Sequence, residues 1–244
     1  MGARWGLLVG TAVLLAWPGP VEGQRHGLGR YREYQESPPT WWLGVDFLAA
    51  DPLGDFGKAV DAGYGLDVGF HVPVAAGGGL ALKADAGFII YGYDRTGVCL
   101  APPVGCRIDL DLTTSNNIFF AGVGPELAAP TGQLRPYVDA AVGFSYFFTH
   151  SSLAGDDADS FGGTTNFDDL VTHTRLGGGL RARLGRTVLL DLGAQYHRNG
   201  VAEYLREGDI VDNPDGSVTL HPRRTEANLL VYRIGVTIGL GGRG

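Results

Sequence analysis

Residues 173–185, "HTRLGGGLRARLG", place chemistry at a fixed interval. Counting by two from His173 gives Arg175, Gly177, Gly179, Arg181 and Arg183, with Thr174, Leu176, Gly178, Leu180, Ala182 and Leu184 between them. Successive side chains of a β-strand point to opposite faces. One face of this segment therefore carries an imidazole and three guanidinium groups, and the other is uncharged and mostly apolar. A guanidinium is a permanent cation whose planar fork fits carboxylates, and burying it demands such partners. Other reactive groups are sparser. His197 stands in "QYHRNG", and His150 precedes Ser151 and Ser152. Cys99 and Cys106 enclose a loop containing Pro102, Pro103 and Gly105. In an exported chain this pair is expected to close as a disulfide, worth roughly 2–3 kcal/mol in the loop-entropy model. Two thiols without a histidine beside them make only half a zinc site.

The elements that must hold these groups repeat with period two in eight segments, near residues 41–49, 64–74, 80–93, 118–128, 137–148, 173–185, 188–197 and 230–240. Each segment has one apolar face. The opposite faces supply six acids, Asp46, Asp67, Asp85, Glu126, Asp139 and Asp191. They also supply five bases, Lys83, Arg175, Arg181, Arg183 and Arg233. The connections at 75–79, 130–135 and 185–186 are tight and built from turn formers, whereas those at 51–63, 94–117, 149–168 and 198–228 are long. Short and long connections alternate, which predicts an up-and-down meander with both termini at the short-turn end. In the last connection Asn213-Pro214-Asp215-Gly216 predicts the turn of a small hairpin projecting beyond the rim. The carboxylates there do not follow the spacing of a calcium loop.

The chain's N-terminal portion addresses compartment. Residues 1–23 hold Arg4, an apolar run from Trp5 to Trp17 and a Pro18-Gly19-Pro20 break, the pattern of a cleaved secretory signal. Residues 24–40 form a polar lead-in expected to be flexible, residues 41–240 the barrel domain, and 241–244 a short tail. The signal contains one Arg and one Glu, so its removal leaves the net charge at −7. An acidic chain has no electrostatic reason to bind nucleic acid. Forty glycines and one methionine suit a β-protein with close backbone approaches. No residue cluster calls for a metal or a cofactor.

Alternation alone does not say which face is inside. A soluble barrel buries the apolar face, and a membrane barrel turns it to lipid around a polar interior. Here the polar face mixes its charges with Gly, Ala and Ser, which suits a narrow lumen. The apolar faces carry no charge in any segment. Outward aromatics gather toward the long-loop end, at Phe47, Tyr64, Phe119, Tyr146, Phe148, Tyr196 and Tyr232, as an interfacial girdle would. The expectation is an all-β, eight-stranded, antiparallel transmembrane β-barrel whose eleven charged residues form an ion-pair network filling the lumen. The competing fold is a soluble, ligand-binding barrel with the faces exchanged.

On these features the chain resembles the small eight-stranded outer-membrane barrels of the outer membrane protein A and X type. The most specific piece is "RIGVTIGL", residues 233–240, which looks like the C-terminal signal read by the outer-membrane assembly machinery. On that match Arg233 takes the polar position, Gly235 the glycine, and Ile238 and Leu240 the hydrophobic positions. The family usually ends on an aromatic residue, whereas Leu240 is followed by Gly241-Gly242-Arg243-Gly244. The resemblance implies residence in a bacterial outer membrane, contact with its lipid and assembly machinery, short periplasmic turns and long extracellular loops. It also implies a mostly non-enzymatic family of adhesins and structural anchors. Lipid A deacylases of such membranes place a Ser two residues after a His like His197; here that position is Asn199. The expectation is no enzyme.

Overall fold

The computed structural model describes residues 39–75, 77–100, 108–155, 160–206, 208–213 and 218–241. The proposed signal, most of the lead-in, Cys106 and the side chain of Cys99 lie outside the described residues, so the disulfide does too. Eight strands close into one antiparallel barrel: β1 (Trp41–Pro52), β2 (Gly63–Pro73), β3 (Leu80–Leu100), β4 (Ile108–Ala128), β5 (Leu134–Gly155), β6 (Ser160–Arg183), β7 (Val188–Asn199) and β12 (Leu229–Leu240). Each pairs with its sequence neighbour, and β12 returns to β1 with Trp41 opposite Leu240. Both strand termini thus meet at the end bearing the short turns. The long connection between β7 and β12 folds into two ribbons. One pairs β8 (Val201–Tyr204) with β11 (Arg223–Glu226), the other β9 (Ile210–Asp212) with β10 (Val218–Leu220). The second forms the arms of the small hairpin expected in this connection, whose turn, residues 214–217, lies outside the described residues.

Two other long connections differ from expectation. Residues 94–100 and 108–117 continue β3 and β4, and 149–155 and 160–172 continue β5 and β6, as paired ribbons beyond the barrel rim. The sixth strand accordingly starts at Ser160, far before His173, and ends at Arg183. The physical reason is that these extensions enclose no core. Runs such as Thr113-Thr114-Ser115-Asn116-Asn117 satisfy their backbone in a ladder without an apolar stripe, so hydrophobic periodicity does not reveal them. The alternation of Ile108, Leu110 and Leu112 with Asp109 and Asp111 is the one short stretch of it in this extension of β4.

The faces are inverted relative to a soluble barrel. In β6, Leu176 is 66% exposed while its neighbour Arg175 is 3% exposed. Leu66, Val138, Val142 and Ile234 are likewise exposed, and Asp67, Asp139 and Arg233 are buried. Outward aromatics pack on one another, with ring centroids 6.3 Å apart for Phe47 and Tyr64 and 5.2 Å for Tyr146 and Phe148.

Candidate functional site

Among the described residues, the largest gathering of chemistry-bearing side chains is in the lumen, which has two storeys. The storey nearer the short turns is ionic. Arg181, on β6, is its hub: Nη1 and Nη2 donate to Glu126 Oε1 and Oε2 at 2.6 and 2.7 Å, and Nε donates to Asp191 Oδ2 at 2.8 Å. One fork thereby ties β6 to β4 across the lumen and to β7 beside it. The guanidinium also lies 4.3 Å over the Tyr137 ring. Tyr137 donates its hydroxyl proton to Asp191 Oδ1 and accepts from Arg233 Nη2, both at 2.6 Å. The close approach of that hydroxyl explains two glycines. A Cβ at Gly179 or Gly193 would stand 2.4 Å from it.

Arg233 reaches Asp46 at 3.7 Å and Asp191 at 3.9 Å, and His71 Nδ1 lies 3.0 Å from Glu126. Further toward the loops, Arg175 Nη2 approaches Asp85 at 2.5 Å. Lys83 Nζ sits between Asp85, at 3.8 Å, and Asp139, at 3.6 Å. Gln195 donates to Asp139 Oδ2 at 3.0 Å. The lumen charges just named persist because each of them has partners. An unpaired ion at the same depth would cost several kcal/mol.

Two of the eleven residues stand apart. Arg183 is exposed, not in the ladder. It forms the last pair of β6 with β7, opposite Leu189, so its side chain emerges at the rim into solvent. Asp67 is buried, lies opposite Asp46 in the β1–β2 register, and among the described residues has no ion pair within 4 Å. The residues of the proposed assembly signal divide in the same way. Arg233 points inward and Ile238 is exposed on the outer face. Gly235 is fixed by packing, since a Cβ there would lie 2.1 Å from Asp46 Oδ1 and from the Val45 carbonyl.

The storey nearer the loops is apolar, and this corrects the expectation that charges fill the whole lumen. Leu48, Ala50, Ile89, Tyr91, Ile118, Phe120, Phe147, Leu229 and Val231 all turn inward from the barrel strands and are buried. Two loop-borne pieces close this layer. Phe56 opens a four-residue helix, α1 (Phe56–Ala59), in the first long connection and is fully buried. Tyr204 and Leu205 descend from the last connection. Phe56 meets Tyr204 edge-on at 4.7 Å, Tyr91 at 5.5 Å and Phe147 at 6.2 Å. The signal was present in sequence: the "polar" phase of β1, β3, β4 and β12 turns apolar toward the long loops.

Between the storeys lies a thin polar layer. His173 stacks on Phe120 with ring centroids 5.8 Å apart and meets His197 perpendicularly at 4.8 Å. Ser145 Oγ is 2.9 Å from His173 Nδ1 and donates to Asn199 Oδ1 at 2.7 Å. Asn199 Nδ2 donates to the Ala227 carbonyl at 2.6 Å, which fixes its amide orientation. Asn199 Oδ1 is then an acceptor for both Ser145 and His173 Nδ1, 3.0 Å away, so the network places the His173 proton on Nδ1. A serine, a histidine and an asparagine thus meet in hydrogen-bonding contact. Nevertheless, this imidazole nitrogen is a donor, and all three residues are buried beneath the apolar layer. His197 is buried there too, and Ser151 is engaged at the rim by Thr114 and Asn166.

No family model and no curated protein matches the chain. Among solved structures it is similar to Neisserial surface protein A, at 14% identity over 84% of this chain and 100% of that one, with a TM-score of 0.46. It is similar to the outer membrane protein OprG from Pseudomonas aeruginosa, at 13% identity over 83% and 96% of the two chains, TM-score 0.42. A third is Ail, the attachment invasion locus protein of Yersinia pestis, at 11% identity over 84% and 99%, TM-score 0.41. The eight-stranded barrel itself rests on the closed ladder described above.

Proposed function

We propose that this chain is a non-enzymatic outer-membrane barrel whose lumen is closed and whose loop-end ribbons carry its binding or structural role. The observation that carries this reading is the inverted polarity, with hydrocarbon exposed around the wall and paired ions buried within. Strands β1, β7 and β12 have twelve residues each. That length suits a membrane crossing, for which a tilted strand needs about 9–11 residues. A closed barrel also satisfies every wall backbone group internally, as a hydrocarbon environment requires. The ion-pair storey and the apolar storey together favour a lumen that does not conduct. Export by the N-terminal signal, delivery by the assembly machinery through residues 233–240 and contact with outer-membrane lipid belong to the same proposal.

The test is an unheated against heated SDS-gel comparison on the outer-membrane fraction, paired with planar-bilayer recording of the refolded protein. A heat-dependent shift in that fraction without large stable conductance is the expected result. Recovery in the soluble fraction without a shift would overturn the membrane reading. A large conductance at low voltage would overturn the closed lumen.

A further inference from the structure

At the loop end of the wall, β2 stops at Gly63, opposite no residue of β3 beyond Ile90, while β3 continues into its ribbon. A cavity of about 510 Å³ opens in the gap, within the range of roughly 300–1,000 Å³ usual for ligand pockets. Its lining is chemically divided. Tyr64 and Ile90 are exposed members of the outward apolar face. The β3–β4 register slips between Ile90 and Gly92, which puts Gly92 opposite the buried Asn116. Directly opposed residues share a face, so the bulge turns Gly92 inward and sends Tyr93, 65% exposed, outward beside Tyr64 and Ile90. The apolar lip therefore faces whatever surrounds the barrel.

The other lip is charged. Asp61 lines the cavity from the first long connection and Arg206 from the last. Arg206 is positioned by Asp209, which accepts from its Nε at 3.3 Å and is itself braced by Arg223 Nε at 3.2 Å. The terminal nitrogens of Arg206 make no hydrogen bond among the described residues. An occupant that satisfies all of this carries hydrocarbon, an anionic group for Arg206 and a cationic group for Asp61.

We propose that this lateral cleft binds one zwitterionic phospholipid, its phosphate at Arg206, its ammonium at Asp61 and its chains along Tyr64, Ile90 and Tyr93. The proposal rests on the membrane reading given above. The test is native mass spectrometry of the full chain refolded in dodecyl maltoside, with phosphatidylethanolamine or phosphatidylglycerol added at equal mole fraction. Each sample is also run unheated on an SDS gel. The expected result is one phosphatidylethanolamine retained per barrel, about tenfold more readily than phosphatidylglycerol, the difference that a lost ion-pair partner of roughly 1.4 kcal/mol produces. Asp61→Ala should abolish that preference, and Arg206→Ala should weaken retention of both lipids. Ala62→Trp, a change at an exposed loop position that fills the cleft, should abolish retention while leaving the heat shift intact. Equal retention of the two lipids by the unsubstituted chain, or undiminished retention in Ala62→Trp, would overturn the cleft while the heat shift leaves the barrel standing. Loss of the heat shift in the unsubstituted chain would overturn the membrane reading and the cleft with it.

Discussion

The two storeys of the lumen are built on the inward faces of the same strands, yet they are held together in opposite ways. Near the short turns, Arg181 and Arg233 bind carboxylates contributed by β1, β4 and β7, so every partner belongs to the barrel wall. Near the long loops, hydrocarbon from the wall closes around Phe56, Tyr204 and Leu205, which belong to the connections. The ionic storey braces strand to strand through side chains that are themselves buried. The apolar storey fastens loops to barrel. Damage to the first should therefore loosen the barrel itself, and damage to the second should free the loops over an intact barrel.

The largest effect is expected from Arg181→Ala. It leaves Glu126 without its bidentate partner and Asp191 without its shortest ion pair, in surroundings that hold both away from water. Breaking a buried pair in this way costs about 3–5 kcal/mol. The urea midpoint of the refolded barrel and the temperature of its heat shift should both fall. Arg181→Met should recover part of the loss only when Glu126→Gln accompanies it, because the stranded acid carries much of the penalty.

Phe56→Ala comes next, at about 3 kcal/mol, the low end for losing a buried phenyl ring because a loop-borne wall can close inward. Its signature should differ from that of Arg181→Ala. Limited proteolysis in the first long connection should accelerate strongly while the heat shift of the barrel moves little. If both variants lowered the barrel transition equally, the two storeys would be one cooperative unit.

This comparison also marks where sequence was informative. The charges of Arg175, Arg181 and Arg233 were legible because an alternating strand exposes its phase, and a charge-free opposite face identifies the wall. Arg183 shares that phase but not the environment. Phase gives the face of a residue, whereas its depth depends on register, and register is fixed by partners distant in sequence. The apolar storey was harder to see because its key residue, Phe56, sits in a four-residue helix with no periodicity to announce it. The ribbon part of β3 was hard to see for a related reason, being exposed on both faces at Tyr93–Gly97.

A smaller effect, of opposite sign, is expected inside the ionic storey. Asp67 faces Asp46 without an ion pair within 4 Å, whereas each of the other five lumen acids has one. Asp67→Asn keeps the shape and removes a charge that the ladder does not neutralise. Its unfolding free energy in urea should equal or exceed that of the parent by up to about 1 kcal/mol, since removing an uncompensated buried charge relieves its desolvation cost. A loss of 2 kcal/mol or more, on the order of a broken buried pair, would show that Asp67 belongs to the ladder after all.

The smallest effect lies outside the lumen, where Arg95 and Asp111 pair across the β3–β4 ribbon. The hydrogen bond from Arg95 holds the Asp111 carboxyl below its ordinary range. A carboxyl lowered on folding contributes stability above its unfolded pKa of about 3.9 and loses it as pH falls through the folded value. Both groups are solvent-exposed, so the pair should be felt locally and should weaken in salt. Amide exchange in residues 93–97 and 110–114 should therefore be slower in the parent than in Asp111→Asn at pH 6. The difference should shrink in 1 M salt, and it should vanish as the pH is taken below that of carboxylate titration. Persistence of the difference under both conditions would mean that Asp111 orders the ribbon by packing, and the ribbon would then resemble the apolar storey more than the ionic one.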